Sequence, residues 1–289
     1  MKRILGIIAL ITVALIFGLA YIPMSVAAEH MGPFTLNAIR FVFGGLVLMP
    51  SLLIKDGTDM KKTLKISLLL SFFVFVAPNL QQAAMADTGV GKAAFITTMY
   101  IVLVPVLTLI FKKRKMTLKT VISIVLAIIG LYILCNLKIN DLSFRKSDIF
   151  LILTAILFSV QIVTVEHVVT DINPLKLSAL SNFIGGLVSV FFVFSLEKPT
   201  MDNIRPAYSS LIVLILVSTV LGYTLQLWGQ QHVDSTTASL IMSLESVFSA
   251  LGGYVLLNQT LSTRELIGGV IMMAAVILSQ LPEKTNVSA

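Results

Sequence analysis

An acid inside an apolar run is the residue in this sequence that most needs a chemical reason. Glu245 stands about ten residues into the segment 235–257, STTASLIMSLESVFSALGGYVLL. At 1.5 Å per helical residue that is roughly 15 Å deep. A carboxylate at the centre of a membrane helix costs about 2.5–3.5 kcal/mol on insertion scales, so such a group needs a partner or a task. The task would be to hold a cationic or amine group of a solute, or to carry a proton. The alternative is structural, a tie from Glu245 to Arg40 or to free backbone N–H groups.

Other polar residues sit at matched places. Gln226 lies in the apolar segment before Glu245, three residues after Tyr223 and so on the same helical face. Gln81 lies in an earlier segment, one turn after Pro78, whose ring frees a backbone carbonyl. Tyr100 follows Gln81 at the same spacing at which Glu245 follows Gln226. Gln161 is the polar residue at the middle of the segment 148–168. Trp228 is either a stacking wall or an interfacial aromatic. The residues expected to line a solute site are therefore Gln81, Tyr100, Gln161, Tyr223, Gln226, Trp228 and Glu245. Arg40, about seven residues from the end of its segment, is expected to snorkel outward in a structural role.

Other chemistries find no support. His30, His167 and His232 fall at helix ends, with His30 expected on the face opposite the other two, so no metal site is expected. The stretch Gly89-Val90-Gly91-Lys92-Ala93 lacks the upstream glycine and the Ser/Thr of a phosphate loop and reads as a tight turn. No nucleophile–base arrangement is visible, so neither an enzyme nor a cofactor is expected.

The elements that carry these residues follow from composition. Of 289 residues 57% are apolar and only 12% charged, with mean hydropathy +0.97. A soluble domain carries about 25% charge, so the class is a polytopic membrane protein. Ten segments are long enough, at about 20 residues each, to cross a bilayer. They are 4–28, 33–54, 64–85, 90–111, 117–136, 148–168, 174–196, 207–231, 235–257 and 262–281. The first resembles a signal peptide ending at Ser25-Val26-Ala27-Ala28, but its apolar run is too long and it is expected to stay as a helix. Pro33 and Pro174 open helices, where a missing N–H costs nothing. Cys135 is alone, which excludes an intrachain disulfide.

The net charge of +7 does not point to nucleic acid, because the basic residues cluster in short loops. Thirteen Lys and Arg fall on the side of the N-terminus and seven on the other, a bias that places both termini in the cytoplasm. Nearly all of that bias comes from the first half of the chain.

The sequence also repeats. The offset that lays Pro33 on Pro174 also lays Gly44 and Gly45 on Gly185 and Gly186, and Phe17 on Phe158. A slightly longer offset lays Gln81 on Gln226 and Tyr100 on Glu245. Residues 1–140 and 141–289 thus read as two five-helix units. Five is odd, so the second unit enters the membrane from the opposite side. The expected fold is an all-α membrane protein of ten helices in two inverted five-helix repeats, the plan of transporters that alternate access around a midplane site.

The segments DTGVGKAAFITTMYIVLVPVL and STTASLIMSLESVFSALGGYVLLNQTLS, with NAIRF at Asn37–Phe41, resemble the matching motifs of EamA-type transporters of the drug/metabolite transporter superfamily. That resemblance implies a bacterial inner-membrane carrier, often an exporter of amino acids or other small metabolites. Two departures stand out. The family's Glu-Pro is Glu245-Ser246 here, which calls the local kink into question. Its Gly-Glu is Asn258-Gln259, which calls an end-of-helix ion pair into question. The expected partners are a small solute, the lipid bilayer and, as a candidate coupling ion, the proton. No nucleic acid is expected, and the protein would act as a monomer or homodimer.

Overall fold

The computed structural model describes residues 1–88, 90–112, 116–135, 145–258 and 260–281, without the side chains of residues 86–92 and 112. The turn expected at Gly89, and Gln259, lie outside the described residues.

Ten helical elements follow in order: α1 (Lys2–Ala28), α2 (Pro33–Leu48, continued as a 3₁₀ turn over Met49–Leu53), α3 (Met60–Thr88), α4 (Val90–Thr98 and Tyr100–Lys112), α5 (Leu118–Leu134), α6 (Lys146–Val168), α7 (Pro174–Phe192, continued as a wide turn over Val193–Glu197), α8 (Met201–Gln230), α9 (Ser235–Met242 and Glu245–Leu257) and α10 (Thr263–Gln280). Among the described residues nine helices are long and apolar enough to cross a membrane, and α5 is a shorter apolar helix. No strand occurs among them.

The side chains are distributed inside out. Large apolar groups such as Ile8, Phe43, Phe72, Phe191 and Val270 face outward, while Asn37, Arg40, Asn79, Asn182 and Gln230 are buried. In a water-soluble protein so much exposed apolar surface would aggregate. Against lipid it is the stable arrangement, and the interior is free to hold polar groups. The chain is an all-α polytopic membrane protein.

Contacts between helices change little when each helix of the first five is exchanged for its counterpart in the last five. α2 packs along α7 and α5 along α10. α3 packs on α6 and α7, as α8 packs on α1 and α2. α4 packs on α6, as α9 packs on α1. Glycines make these approaches possible where lipid gives helices no hydrophobic drive to associate. A methyl group on Gly45 would lie 2.7 Å from the backbone N of Phe183, and one on Gly186 would lie 2.6 Å from that of Val42. Val42 and Phe183 are related by the same offset as Gly45 and Gly186, so the two contacts are the same contact made twice. Gly18 does the same for the centre of the bundle, letting α1 approach the carbonyl of Glu245 within 2.5 Å of its would-be Cβ.

Two helices are broken at mid-depth. α4 is interrupted at Met99, whose N–H bonds only to Ile96 O three residues back, and a new helical run begins at Tyr100. α9 is interrupted at Ser243 and Leu244 and resumes at Glu245. The breaks occupy equivalent positions of the two halves. The helix 9 kink therefore forms without the family's proline. Three-residue bonds from Leu244 N to Ile241 O and from Ser246 N to Ser243 O close it, and the Ser243 hydroxyl bonds back to Leu240 O at 2.7 Å. Ser246, in the proline's place, instead shares a hydrogen bond with Thr98 of α4 at 3.3 Å. Asn258 takes the left-handed conformation that ends α9 (φ 51°), a task for which asparagine substitutes for glycine.

Candidate functional site: a polar cavity between the halves

The two broken helices meet at the centre. The Tyr100 hydroxyl, on the first residue after the break in α4, donates to Glu245 Oε1 at 3.2 Å, on the first residue after the break in α9. The residues that the sequence repeat pairs are thus partners in space. Glu245 also heads a 13-residue half-helix, whose positive dipole end favours a carboxylate.

A central cavity opens beside this pair, with about 80 Å³ accessible to the centre of a water molecule. That exceeds the roughly 10–15 Å³ needed to admit a water molecule. Gln81, Tyr100, Gln161, Tyr223, Gln226 and Glu245 line it. Six of the seven residues singled out in the sequence therefore come together. Trp228 does not. It lies on the far face of α8, tilted on the His232 ring at 4.8 Å between centroids, and lines a second, open cavity on the side of the N-terminus. The reason is helical phase: Tyr223 and Gln226 point inward, and Trp228 follows Gln226 by two, which turns it to the opposite side of the helix.

The glutamines divide into two kinds. Gln81 Nε2 donates to the Tyr21 hydroxyl at 3.2 Å, which fixes its carboxamide at the cavity wall. Gln226 and Gln161 make no hydrogen bond to any described residue, although both are largely buried. An amide left without a protein partner is costly unless water or solute meets it. Gln230, which continues the Gln226 face, bonds to Ile162 O at 3.4 Å and ties α8 to α6 instead of lining the cavity.

Arg40 departs from expectation. It does not snorkel: only 3% of it is exposed, and it lines the cavity. Nη2 donates to Ser218 Oγ at 3.0 Å, Nε to Thr219 Oγ1 at 3.4 Å and Nη1 to Met24 Sδ at 3.7 Å. The guanidinium also lies 4.7 Å from the Phe41 ring centroid and 6.0 Å from that of Tyr223. Ser218 and Thr219 reach it from a widened, i→i+5 bonded stretch of α8, Leu214–Tyr223. Such π-type turns gather at functional sites. Arg40 and Glu245 form no ion pair, so the structural tie between them is absent. Sequence alone also missed Tyr21, Ser218, Met24 and Met242; the Phe17/Phe158 pair, which the repeat did flag, lines the same cavity.

Carboxylates clip the two ends of the α2–α7 pair. On the side of the N-terminus Asp56 accepts from Lys176 Nζ at 2.7 Å and from the Asn173 amide at 2.5 Å, at the start of α7. On the opposite side Glu197 accepts from the backbone N–H groups of Phe34 (2.9 Å) and Thr35 (2.8 Å) and from the Thr35 hydroxyl (2.6 Å), at the start of α2. Asp56 and Glu197 stand at the same offset as Pro33 and Pro174 and so are equivalent. The Lys176 ammonium, then Asn173 and the Thr58 N–H, hold the Asp56 carboxyl well below the usual carboxylate range.

A bundle of membrane-crossing helices with a small cavity at its centre, lined by several polar side chains and walled by interrupted helices, has the construction of a solute transporter. The sequence matches the EamA-like transporter family over residues 4–136 and again over 145–281. The chain belongs to that family. Over 281 residues it is 28% identical to an uncharacterized transporter of Archaeoglobus fulgidus, covering 97% of this chain and 87% of the relative. It is 26% identical over 298 residues to a probable amino-acid metabolite efflux pump of Salmonella typhimurium, covering 96% and 95%. A solved crystal structure with 13% identity has the same fold, with a TM-score of 0.81 over 95% of this chain and 96% of that one.

Proposed function

We propose that this transporter carries a small amine-bearing metabolite, amino-acid-like or amphipathic, out of the cell by alternating access, with Glu245 holding the solute's cationic group. The single observation behind this reading is the central cavity. It brings Glu245, Tyr100, Gln81, Gln161, Tyr223 and Gln226 together where two helices are broken. The exchange-symmetric packing and the doubled family match support two inverted units, residues 1–140 and 141–289, rocking about this site. The efflux name of the Salmonella relative favours export. The loop charges favour an inner-membrane protein with both termini in the cytoplasm.

Purified protein in liposomes tests the proposal. It should move radiolabelled amino acids or amines, while Glu245→Gln protein of normal stability should not. Flux unchanged in rate, selectivity and pH profile by Glu245→Gln would contradict it.

A further inference from the structure

Arg40 is the group in the cavity that the proposed function leaves unexplained. A guanidinium on a residue only 3% exposed has no carboxylate within salt-bridge distance among the described residues; its partners are two hydroxyls, a thioether and two aromatic faces. These soften the desolvation cost but do not neutralise the charge. A buried unpaired charge is among the costliest things a fold can keep. The carboxylate that lines the same cavity, Glu245, bonds to Tyr100 instead. Acid and base thus line one cavity without pairing. The hydroxyls of Ser218 and Thr219 fix the guanidinium plane, leaving it donors to spare, since arginine has five N–H groups. The remaining wall is apolar, with Phe17, Phe158, Met24 and Met242.

We infer that Arg40 is the anion subsite of the cavity and takes the carboxylate of a zwitterionic solute whose ammonium lies on Glu245. The solute class is then a small α-amino acid or close analogue with an apolar body. This rests on the transport reading for its context, but its evidence is the uncompensated guanidinium. Arginine suits the task because its planar fork meets a carboxylate with two parallel hydrogen bonds, which an ammonium cannot do.

The test uses purified full-length protein and a mixture of the twenty standard amino acids, against the matching mixture of their carboxamides. The acids should stabilise the wild-type protein against heat and the carboxamides should not. Arg40→Gln should weaken amino-acid binding by about 30-fold or more, the scale of losing one member of a buried charge pair, and Arg40→Lys should restore it only in part. Wild-type discrimination between acids and carboxamides needs no variant, so a misfolded Arg40→Gln protein does not blunt the test. Equal stabilisation by the two mixtures overturns the inference, as does no stabilisation by either. Stabilisation by sodium chloride over sodium gluconate, competing with the amino acids, would also overturn it by making this an inorganic-anion site. Binding of acids without flux in liposomes would sink the transport reading and leave the subsite standing. Flux of amines indifferent to Arg40 would do the reverse.

Discussion

The two halves of the molecule share a backbone plan and differ in what they hang on it. At the breaks in α4 and α9 one half offers the neutral Tyr100 and the other the acid Glu245. On α2 the first half carries the cavity-facing Arg40, while the equivalent position on α7 is Ser181, whose hydroxyl bonds only to its own helix. At the ends of α2 and α7, Asp56 grips a lysine and an asparagine, whereas Glu197 grips backbone N–H groups. Packing contacts, by contrast, are duplicated almost unchanged. The difference teaches that packing is conserved between the halves while the groups facing the cavity are not. On the proposed reading, equal packing would let the halves exchange roles, and unlike groups would meet the unlike ends of a solute.

The strongest contrast expected is at the breaks. Glu245→Gln should weaken binding of an amine solute by about 2–5 kcal/mol, the cost of losing a buried charge partner. Tyr100→Phe removes one hydrogen bond to that carboxylate, about 1.5–3 kcal/mol at most, and should cost binding less. Isothermal titration of both variants compares them; equal losses would mean that Tyr100, not the charge, holds the solute.

Next come the duplicated contacts. Gly45→Ala and Gly186→Ala each push a methyl group onto backbone of the opposite helix. Each should destabilise by about 1–3 kcal/mol, and by similar amounts, in denaturant unfolding in detergent. A large effect in one and none in the other would break the symmetry of the packing.

The glutamines should differ in kind. Gln226→Ala removes an amide with no described partner and should lower solute affinity without loss of stability. Gln81→Ala also strands the Tyr21 hydroxyl, so it should lower stability too, by about 1–3 kcal/mol. Thermal unfolding with and without solute separates the two.

The smallest effect belongs to the clips. The carboxyl of Asp56 is depressed, so what it contributes is present above the usual carboxylate range and is lost as pH falls through its lowered value. The clip should therefore survive mild acid. Lys176→Met should return Asp56 toward the ordinary range, seen as an upward-shifted titration of its carboxyl ¹³C resonance. An unmoved titration would mean that Asn173 and the Thr58 N–H suffice.

Much of this was legible beforehand. Spans follow from hydropathy because lipid tolerates little else, and the repeat followed from Pro33/Pro174 and the glycine pairs. The depth of Gln81, Gln226, Tyr100 and Glu245 follows from helix rise alone, so they could be placed on one level. What a helix faces cannot be read that way. Arg40 has the reach to snorkel, but the hydroxyls of Ser218 and Thr219, from a helix far along the chain, hold it inside together with the Met24 sulfur and the Phe41 and Tyr223 rings. Trp228 was misplaced for the same reason. The break in α4 falls at Met99, and the one in α9 forms at Ser243 and Leu244 without a proline, so neither is marked by the residue that usually signals a kink.

In the proposed alternating access one cavity serves both faces of the membrane. A single cysteine at Ala20, on the cavity wall, in a Cys135→Ser background, tests it in oriented vesicles with a small membrane-impermeant thiol reagent. Labelling from either face, and protection by the transported solute from both, is the expected result. Labelling from one face only, whatever the solute, would contradict it.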